Sequence, residues 1–297
     1  MAPLLDNMLN AQGNWKFDNG EREPGMQAGI VMPSQAQLKG WKKLSLEKYR
    51  RQEKTFLAEG EKVVGELLRS NWPVKGILLC DEIAGCSYPD IIAGVPGGIP
   101  VYGLTKRQWG TLSQDKSSEG VMAIAAWTGA LPADGDAEES RLIEALKKVS
   151  GPILMLYQVS NPNNLGALLR TAYWFGFSTI ILSKNSCEAT NPKVVRTSMG
   201  SIFHLNIIEG VDLEEVISDI SGRFSVVGSD VRQGVAPHPR SRKTALLLGS
   251  ESHGLPEALL ALTNETWKIP GTGGGESLSL PQAGAIMMYE CVRGNII

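Results

Sequence analysis

Three stretches of this sequence put polar residues into turns that follow apolar runs, the place where an α/β protein keeps its chemistry. The first is SNPNNLGALLRTAYWFG (160–176), directly after ILMLYQV (153–159). Pro162 and two asparagines suit a turn and a helix N-cap. Leu165, Leu168, Leu169, Ala172 and Phe175 then recur at helical spacing and predict one apolar stripe. Gly166 and Arg170, four residues apart, share a different face, where a glycine leaves room for a ligand beside a guanidinium. Read as residues alone, the pair fits equally a packing glycine and a solvated arginine.

The second stretch is LLLGSESHGLPEALL (246–260). A buried strand ends at Gly249, a polar turn presents Ser250 and Glu251, and Gly254 and Pro256 introduce another helix. The glycines permit close backbone approach to a ligand, and Glu251 can accept hydrogen bonds or orient a neighbour. An ordinary strand–turn–helix is the competing account.

The third is IPGTGGGESLSLPQAGAIMMYECVRG (269–294). Ser279 or a neighbour can cap a helix whose first turn holds Pro281, with Ala283, Ile286, Met287 and Glu290 at helical spacing and Gly294 as the stop. The run GTGGGES invites a phosphate-loop reading, but no Gly-Lys-Ser or Gly-Lys-Thr follows it. That absence speaks against a nucleotide P-loop and against a generic nucleotide-binding protein. A glycine-rich turn can still wrap a ligand with its backbone.

The elements that must position these turns are legible in outline. Runs at 153–159, 179–183 (TIILS), 202–208 (IFHLNII), 224–229 (FSVVGS) and 244–250 (TALLLGS) are continuously apolar rather than alternating. Such strands predict a sheet covered on both faces, hence parallel and α/β, with ligands beyond the carboxyl ends of the strands. Upstream, VKGILLCD (74–81), IPVYGL (99–104) and GVMAIAAW (120–127) read as strands of a smaller α/β unit. LSLEKYRRQEKT (44–55) reads there as a charged helix, and Val63, Val64, Leu67 and Leu68 mark another.

Four segments follow. Residues 1–38, rich in Gly, Asn, Gln, Pro and Met, are expected to be a flexible extension, and 39–128 the first domain. Residues 129–140, with Gly, Pro and acidic groups, are expected to be a linker, and 141–297 the second domain, opening on a helix in EESRLIEALKKVS.

Composition sets the outer bounds. The chain has 297 residues, 29 Lys+Arg against 31 Asp+Glu, 42% hydrophobic and 20% charged residues. That is room for about two domains with real cores, and it excludes a largely disordered or fibrous chain. No apolar run approaches the ~20 residues of a membrane span, and no secretory signal opens the chain. Four scattered cysteines without CxxC spacing, far from the histidines, predict no metal site and reduced thiols in a cytoplasmic protein. Near-neutral charge leaves nucleic-acid binding to local patches. Candidates are Lys39, Lys42, Lys43, Lys48, Arg50, Arg51 and Lys54, interleaved with Trp41 and Tyr49, and a second group of Arg232, Arg240, Arg242 and Lys243.

Taken together and in order, the three turns resemble the signature loops of the SpoU/TrmH family of RNA 2′-O-ribose methyltransferases, within the SPOUT class. Asn164, Gly166 and Arg170 match the first motif, and Gly249, Glu251 and Gly254 the second. Ile269, Pro270, Ser277, Leu278 and Ser279 match the third, although the family's usual Asn after Ser-Leu is Ser279 here. NPKVVRTSMGSIFHL (191–205) is similar to the family between motifs, and FLAEGEKVVGELLRS (56–70) is similar to its amino-terminal RNA-recognition domain.

The resemblance implies a parallel sheet closed by a carboxyl-terminal trefoil knot, S-adenosylmethionine as cofactor, an RNA substrate and a homodimer. The cofactor would be held by Gly249, Ser250, Glu251, Gly254, Ile269, Pro270, Ser277 and Leu278. Arg170 would face the ribose hydroxyl. Asn164 and Ser279 would hold polar groups nearby, Glu251 would fix Arg170 or Asn164, and Ser277 would bind at the ribose or cofactor edge. Ribosomal RNA is favoured over transfer RNA as the substrate. A serine has shorter reach and one fewer donor than an amide. Ser279 therefore keeps a rival open, a catalytically weak RNA-binding or ribosome-assembly factor that retains the fold.

Overall fold

The computed structural model describes residues 30–83, 88–128, 146, 148–241 and 243–295. The chain divides into two compact units, the first made of 1–128 with 190–203 and the second of 129–189 with 204–297.

The first unit runs β1 (Ile30–Val31), α1 (Gln35–Lys43), α2 (Glu47–Glu53), β2 (Thr55–Glu59), α3 (Glu61–Arg69), β3 (Val74–Leu79), α4 (Tyr88–Gly94), β4 (Val101–Gly103), α5 (Lys106–Trp109) and β5 (Val121–Ala126). Its five strands order as β1-β4-β3-β5-β2, with β5 antiparallel to both β3 and β2 and the β1–β4 and β4–β3 pairs parallel. Helix α3 shows how local sequence sets packing. Val63, Val64 and Leu67 bury one face, while Lys62 and Arg69 both reach Glu66 on the other. Helices α1 and α5 each begin in a capping box, Ser34 with Gln37 and Thr105 with Gln108.

The second unit begins with β6 (Ile153–Leu156), α6 (Pro162–Trp174) and β7 (Thr179–Ser183). The chain next contributes α7 (Pro192–Thr197) to the first unit and returns as β8 (Asn206–Val211), α8 (Leu213–Ile220), β9 (Ser225–Ser229), β10 (Thr244–Leu248), α9 (Glu257–Ala261), β11 (Glu265–Trp267) and α10 (Leu280–Val292). The six strands order as β11-β9-β10-β6-β7-β8, every pair parallel. β6, β7 and β10 are buried along their whole length, as continuous apolar runs require. Chain order reverses where β6 lies beside β10. In a parallel sheet the crevice at such a switch point takes the ligand.

The returned segment 190–203 is integral to the first unit. Phe203 stacks on Phe56 with ring centroids 6.4 Å apart and meets Trp72 edge-on at 5.4 Å. Arg196 pairs with Asp115 at 2.6 Å. The apolar run 202–208 is therefore two things. Ser201–His204 is a short 3₁₀ turn whose Ile202 and Phe203 are buried, and only from Asn206 is the chain a strand.

Other expectations shift as well. Residues 30–38 are not part of an extension, because Ile30 and Val31 pair with β4 and Gln35 starts a helix. The charged helix at 44–55 is only the seven residues of α2, and Thr55–Glu59 is a strand. Residues 1–29 and the linker 129–140 lie outside the described residues, as does most of the helix expected at 138–150.

Candidate active site

The loops after β6 and β10 meet at the switch point, and a carboxylate joins them. One oxygen of Glu251 accepts from the Ser160 peptide N–H at 3.2 Å and the Ser160 hydroxyl at 3.4 Å. The other accepts from the Asn161 peptide N–H at 3.1 Å and from the Asn164 side-chain amide at 3.2 Å. Asn161 is the N-cap of α6, with its own side chain accepting from the Asn163 N–H, and Pro162 occupies the first turn. Glu251 thus sits at the positive end of α6, where a negative charge is favoured.

Burial pushes the Glu251 carboxyl up. The peptide N–H groups of its own residue, of Asn161 and of Ser160, together with the Asn164 amide, outweigh that and hold it below the ordinary carboxylate value. A depressed folded-state value gives stability that is present above the unfolded value and lost as pH falls through the folded one. Glu251→Gln is therefore expected to melt below the wild type at neutral pH, with the gap closing as acid titrates the carboxylate. Thermal unfolding across pH measures this, and a gap independent of pH would refute it.

The second loop is closed on itself. Ser250 and Gly254 exchange two backbone hydrogen bonds, each 3.1 Å. Gly254 sits at φ +67°, and a Cβ on Gly249 would lie 2.2 Å from the Gly254 carbonyl carbon. Behind the first loop, Gln158 holds φ 49°, and its N–H donates to the Ser183 hydroxyl at 2.8 Å. A left-handed non-glycine residue beside a site is local strain of the kind that positions functional groups.

Arg170 is exposed on α6, and among the described residues it has no hydrogen-bond or ion-pair partner. Glu251 therefore holds Asn164, the other of the two partners expected for it. Gly166, expected to open space beside the guanidinium, is buried with Leu165, Leu168, Leu169 and Ala172, whereas Phe175 is only partly buried and ends the stripe early.

The third loop is exposed from Pro270 to Ser279, with Ile269 half-buried. No peptide group from Ile269 to Leu278 is hydrogen-bonded to another described residue. Ser279 is the N-cap of α10, yet its hydroxyl accepts nothing from that helix. The buried face of α10 is Gly284, Met287, Met288 and Cys291, while Ile286 is exposed; the helix ends at Val292 and Gly294 lies in the 3₁₀ turn that follows. The glycine at 284 is what seats it. A Cβ there would lie 2.6 Å from Leu168 of α6 and 3.1 Å from Leu248 of β10. Through α10 the third loop is anchored on the elements that carry the other two.

Comparisons with known proteins bear on the family of the chain. The model of the SpoU rRNA Methylase family matches residues 151–289. The 23S rRNA (guanosine(2553)-2′-O)-methyltransferase RlmP of Bacillus subtilis is 31% identical over 260 residues, which is 86% of this chain and 96% of that one. The chain belongs to the SpoU methylase family. A second model, described as an MRM3-like substrate binding domain, matches 35–123, which puts the start of that domain before the boundary expected at 39. The AdoMet-bound rRNA methyltransferase from Sinorhizobium meliloti superposes with a TM-score of 0.76 over 92% of this chain and 100% of that one, at 24% identity. AviRb of Streptomyces viridochromogenes, solved in complex with the cofactor AdoMet, gives 0.71 over 88% and 98%, at 22% identity. Both likenesses concern the fold.

For a SpoU family member, sequence reasoning missed Ser160 and Asn161, the backbone donors that fix Glu251. Asn-Pro at a helix start was their available signal. The cationic patches change more. Arg50 is 4% exposed and donates to the Leu44 carbonyl at 2.7 Å, so it is structural. Arg51 pairs with Glu47, and Lys43 lies over the Tyr49 ring. In the second patch Arg232 is bound by Asp230 and Arg240 by Glu265 and Ser225, while Arg242 lies outside the described residues. Among the described residues, no helix is long and apolar enough to cross a membrane, and no cluster of His, Cys, Asp and Glu is disposed to hold a metal ion.

Proposed function

We propose that this SpoU family protein transfers the methyl group of S-adenosylmethionine to a ribose 2′-hydroxyl of ribosomal RNA, as a knotted homodimer in the cytoplasm. The observation that carries the reading is the division of labour on α6. Glu251 is held by the N-terminal end of the helix, and the Arg170 side chain, on the same helix, is left as a cation with no partner among the described residues.

The residues present fit the cofactor. Among the described residues, the peptide groups from Ile269 to Leu278 and the hydroxyls of Ser277 and Ser279 have no hydrogen-bond partner, and Leu278 is 48% exposed although apolar. Together they offer backbone donors, backbone acceptors and an apolar edge to a nucleoside and its amino-acid tail. Gly249, Ser250, Glu251, Gly254, Ile269, Pro270, Ser277 and Leu278 would hold it. When bound, it supplies an electrophilic methyl group on a good leaving group.

The chain's own contribution is then positioning. Arg170 grips a phosphate next to the target and orients the 2′-hydroxyl, whose proton leaves through that phosphate or water. A guanidinium stays protonated at any working pH and is a poor proton acceptor. Asn164, held by Glu251, and Ser279, with its free hydroxyl, bind polar groups of the target nucleotide.

Support for the finer points comes from packing and chemistry. The end of α10 lies against the chain before β10, where the Arg240 N–H donates to the Cys291 carbonyl at 2.9 Å; a carboxyl-terminal knot needs such a contact. Trp174 is 82% exposed, with Phe175 and Tyr289 rings 5.9 Å apart and Ile286 exposed on the same helix as Tyr289. A second copy would cover these aromatics. Cys291 is buried, and burial pushes its thiol up to about 11, which suits a reducing compartment.

Ser279 favours one other reading, a factor that binds RNA and methylates weakly. Offering labelled cofactor with separated unmodified ribosomal and transfer RNAs tests both. Alkali-resistant label confined to ribosomal RNA is the expected result. Label in transfer RNA alone would reassign the substrate, and RNA binding without label would select the weak factor.

A further inference from the structure

We propose that a groove between α1 and α5 of the first unit grips the sugar–phosphate backbone of the RNA substrate, away from the nucleotide that is modified. This rests on the RNA reading above and names where the substrate domain takes hold. The groove has a volume of about 460 Å³, an apolar floor at Leu38, and walls that include Lys39, Lys42 and Arg107 beside Gln108 and Thr111. Lys39 and Lys42 stand three residues apart and so share a face of α1. Arg107 arrives from α5, and it belongs to neither patch expected from sequence.

The groove gathers three cations around one concavity. Elsewhere in the first unit Arg51, Lys62, Arg69 and Arg196 are each matched to a carboxylate. The side chains of Lys39, Lys42 and Arg107 have no hydrogen-bond or ion-pair partner among the described residues, and none of the described residues lining the groove is acidic. Cations left unopposed around one concavity focus a positive potential there, and a polyanion relieves their mutual repulsion. Two ammonium groups supply point charges and the guanidinium a planar fork, a set suited to phosphates. Gln108 and Thr111 add neutral hydrogen-bonding groups within reach of ribose hydroxyls. Among the described residues no aromatic side chain lines the groove, so they offer bases no stacking platform. The contact is therefore with backbone, and it contributes affinity and register without reading sequence.

The test compares the full-length wild type with the triple variant Lys39→Gln, Lys42→Gln, Arg107→Gln. The probe is unmodified ribosomal RNA transcribed in vitro, followed by fluorescence anisotropy between about 50 and 200 mM salt. Three lost phosphate contacts at roughly 0.7–0.9 each lower the salt slope by about 2. The expected outcome is that fall in slope, at least a tenfold weaker Kd, a raised KM for RNA, and both kcat at saturating RNA and cofactor affinity within about threefold. A control variant, Arg51→Gln with Arg69→Gln, removes cations already matched internally and is expected to change Kd by less than about threefold. An equal loss in the control means a diffuse field and overturns the groove. A wild type that binds and methylates RNA while the triple variant keeps its slope and KM overturns the groove alone. A wild type that neither binds nor methylates any RNA overturns the functional reading and the groove with it.

Discussion

Arg170→Ala is expected to eliminate methyl transfer, by about 10³-fold or more, while S-adenosylmethionine affinity stays within a few-fold. The side chain is exposed and partnerless among the described residues, so its removal costs the fold little. What it removes, on the proposed mechanism, is a charge-assisted fork that holds the reacting oxygen in line. Losing one such preorganised contact is worth 10²–10³ or more in rate. Arg170→Lys separates two roles for the group. If it positions a phosphate, an ammonium restores part of the activity with an unchanged pH profile, because charge survives and only the bidentate geometry is lost. If it takes the proton, lysine shifts the pH–rate profile. Calorimetry with cofactor alone and a methylation assay with RNA make the measurement. Retained turnover in the alanine variant would remove Arg170 from the mechanism.

Gly249→Ala is the second large effect, and its origin is steric. The added Cβ would sit 2.2 Å from the Gly254 carbonyl carbon and 2.5 Å from both the Gly254 oxygen and the Leu255 nitrogen. All three are backbone atoms with no rotamer to yield. The loop has to open, breaking the paired Ser250–Gly254 hydrogen bonds and moving Glu251 away from Ser160 and Asn161. Overpacking of this kind costs roughly 1–3 kcal/mol of stability. Cofactor affinity is expected to fall at least about 100-fold, since in the proposed reading the displaced backbone holds the cofactor. Gly254→Ala is the instructive contrast. Nothing lies within 4 Å of its Cβ, but φ is +67°, so the penalty is the roughly 1–2 kcal/mol of a left-handed residue. Calorimetric titration of both variants orders them, and equal, near-wild-type affinities would refute the account.

Where the sequence is legible, one residue's pattern answers to one environment. TIILS at 179–183 is a strand with those bounds because every side chain in it is buried in the same sheet. The run 202–208 misleads because its apolar residues serve two units, Ile202 and Phe203 packing in one and Ile207 and Ile208 in the other. TFLAE at 55–59 is hidden behind a charged helix of seven residues, too short to show its own period. The site divides the same way. Glu251, Asn164 and Arg170 stand out by type and spacing, whereas Ser160 and Asn161 act through peptide N–H groups that any residue supplies. Arg50 reads as a binding cation, yet its burial against the Leu44 carbonyl is a property of the fold alone.

The passage of residues 190–203 into the first unit limits how such proteins can be recombined. A fragment ending at Thr128 would lack Phe203, and with it the ring that covers Phe56 and Trp72. Transplanting the substrate-recognition module between related enzymes therefore requires two separate pieces of gene, and a chimera spliced at the single obvious junction inherits a mismatched patch in its own interior.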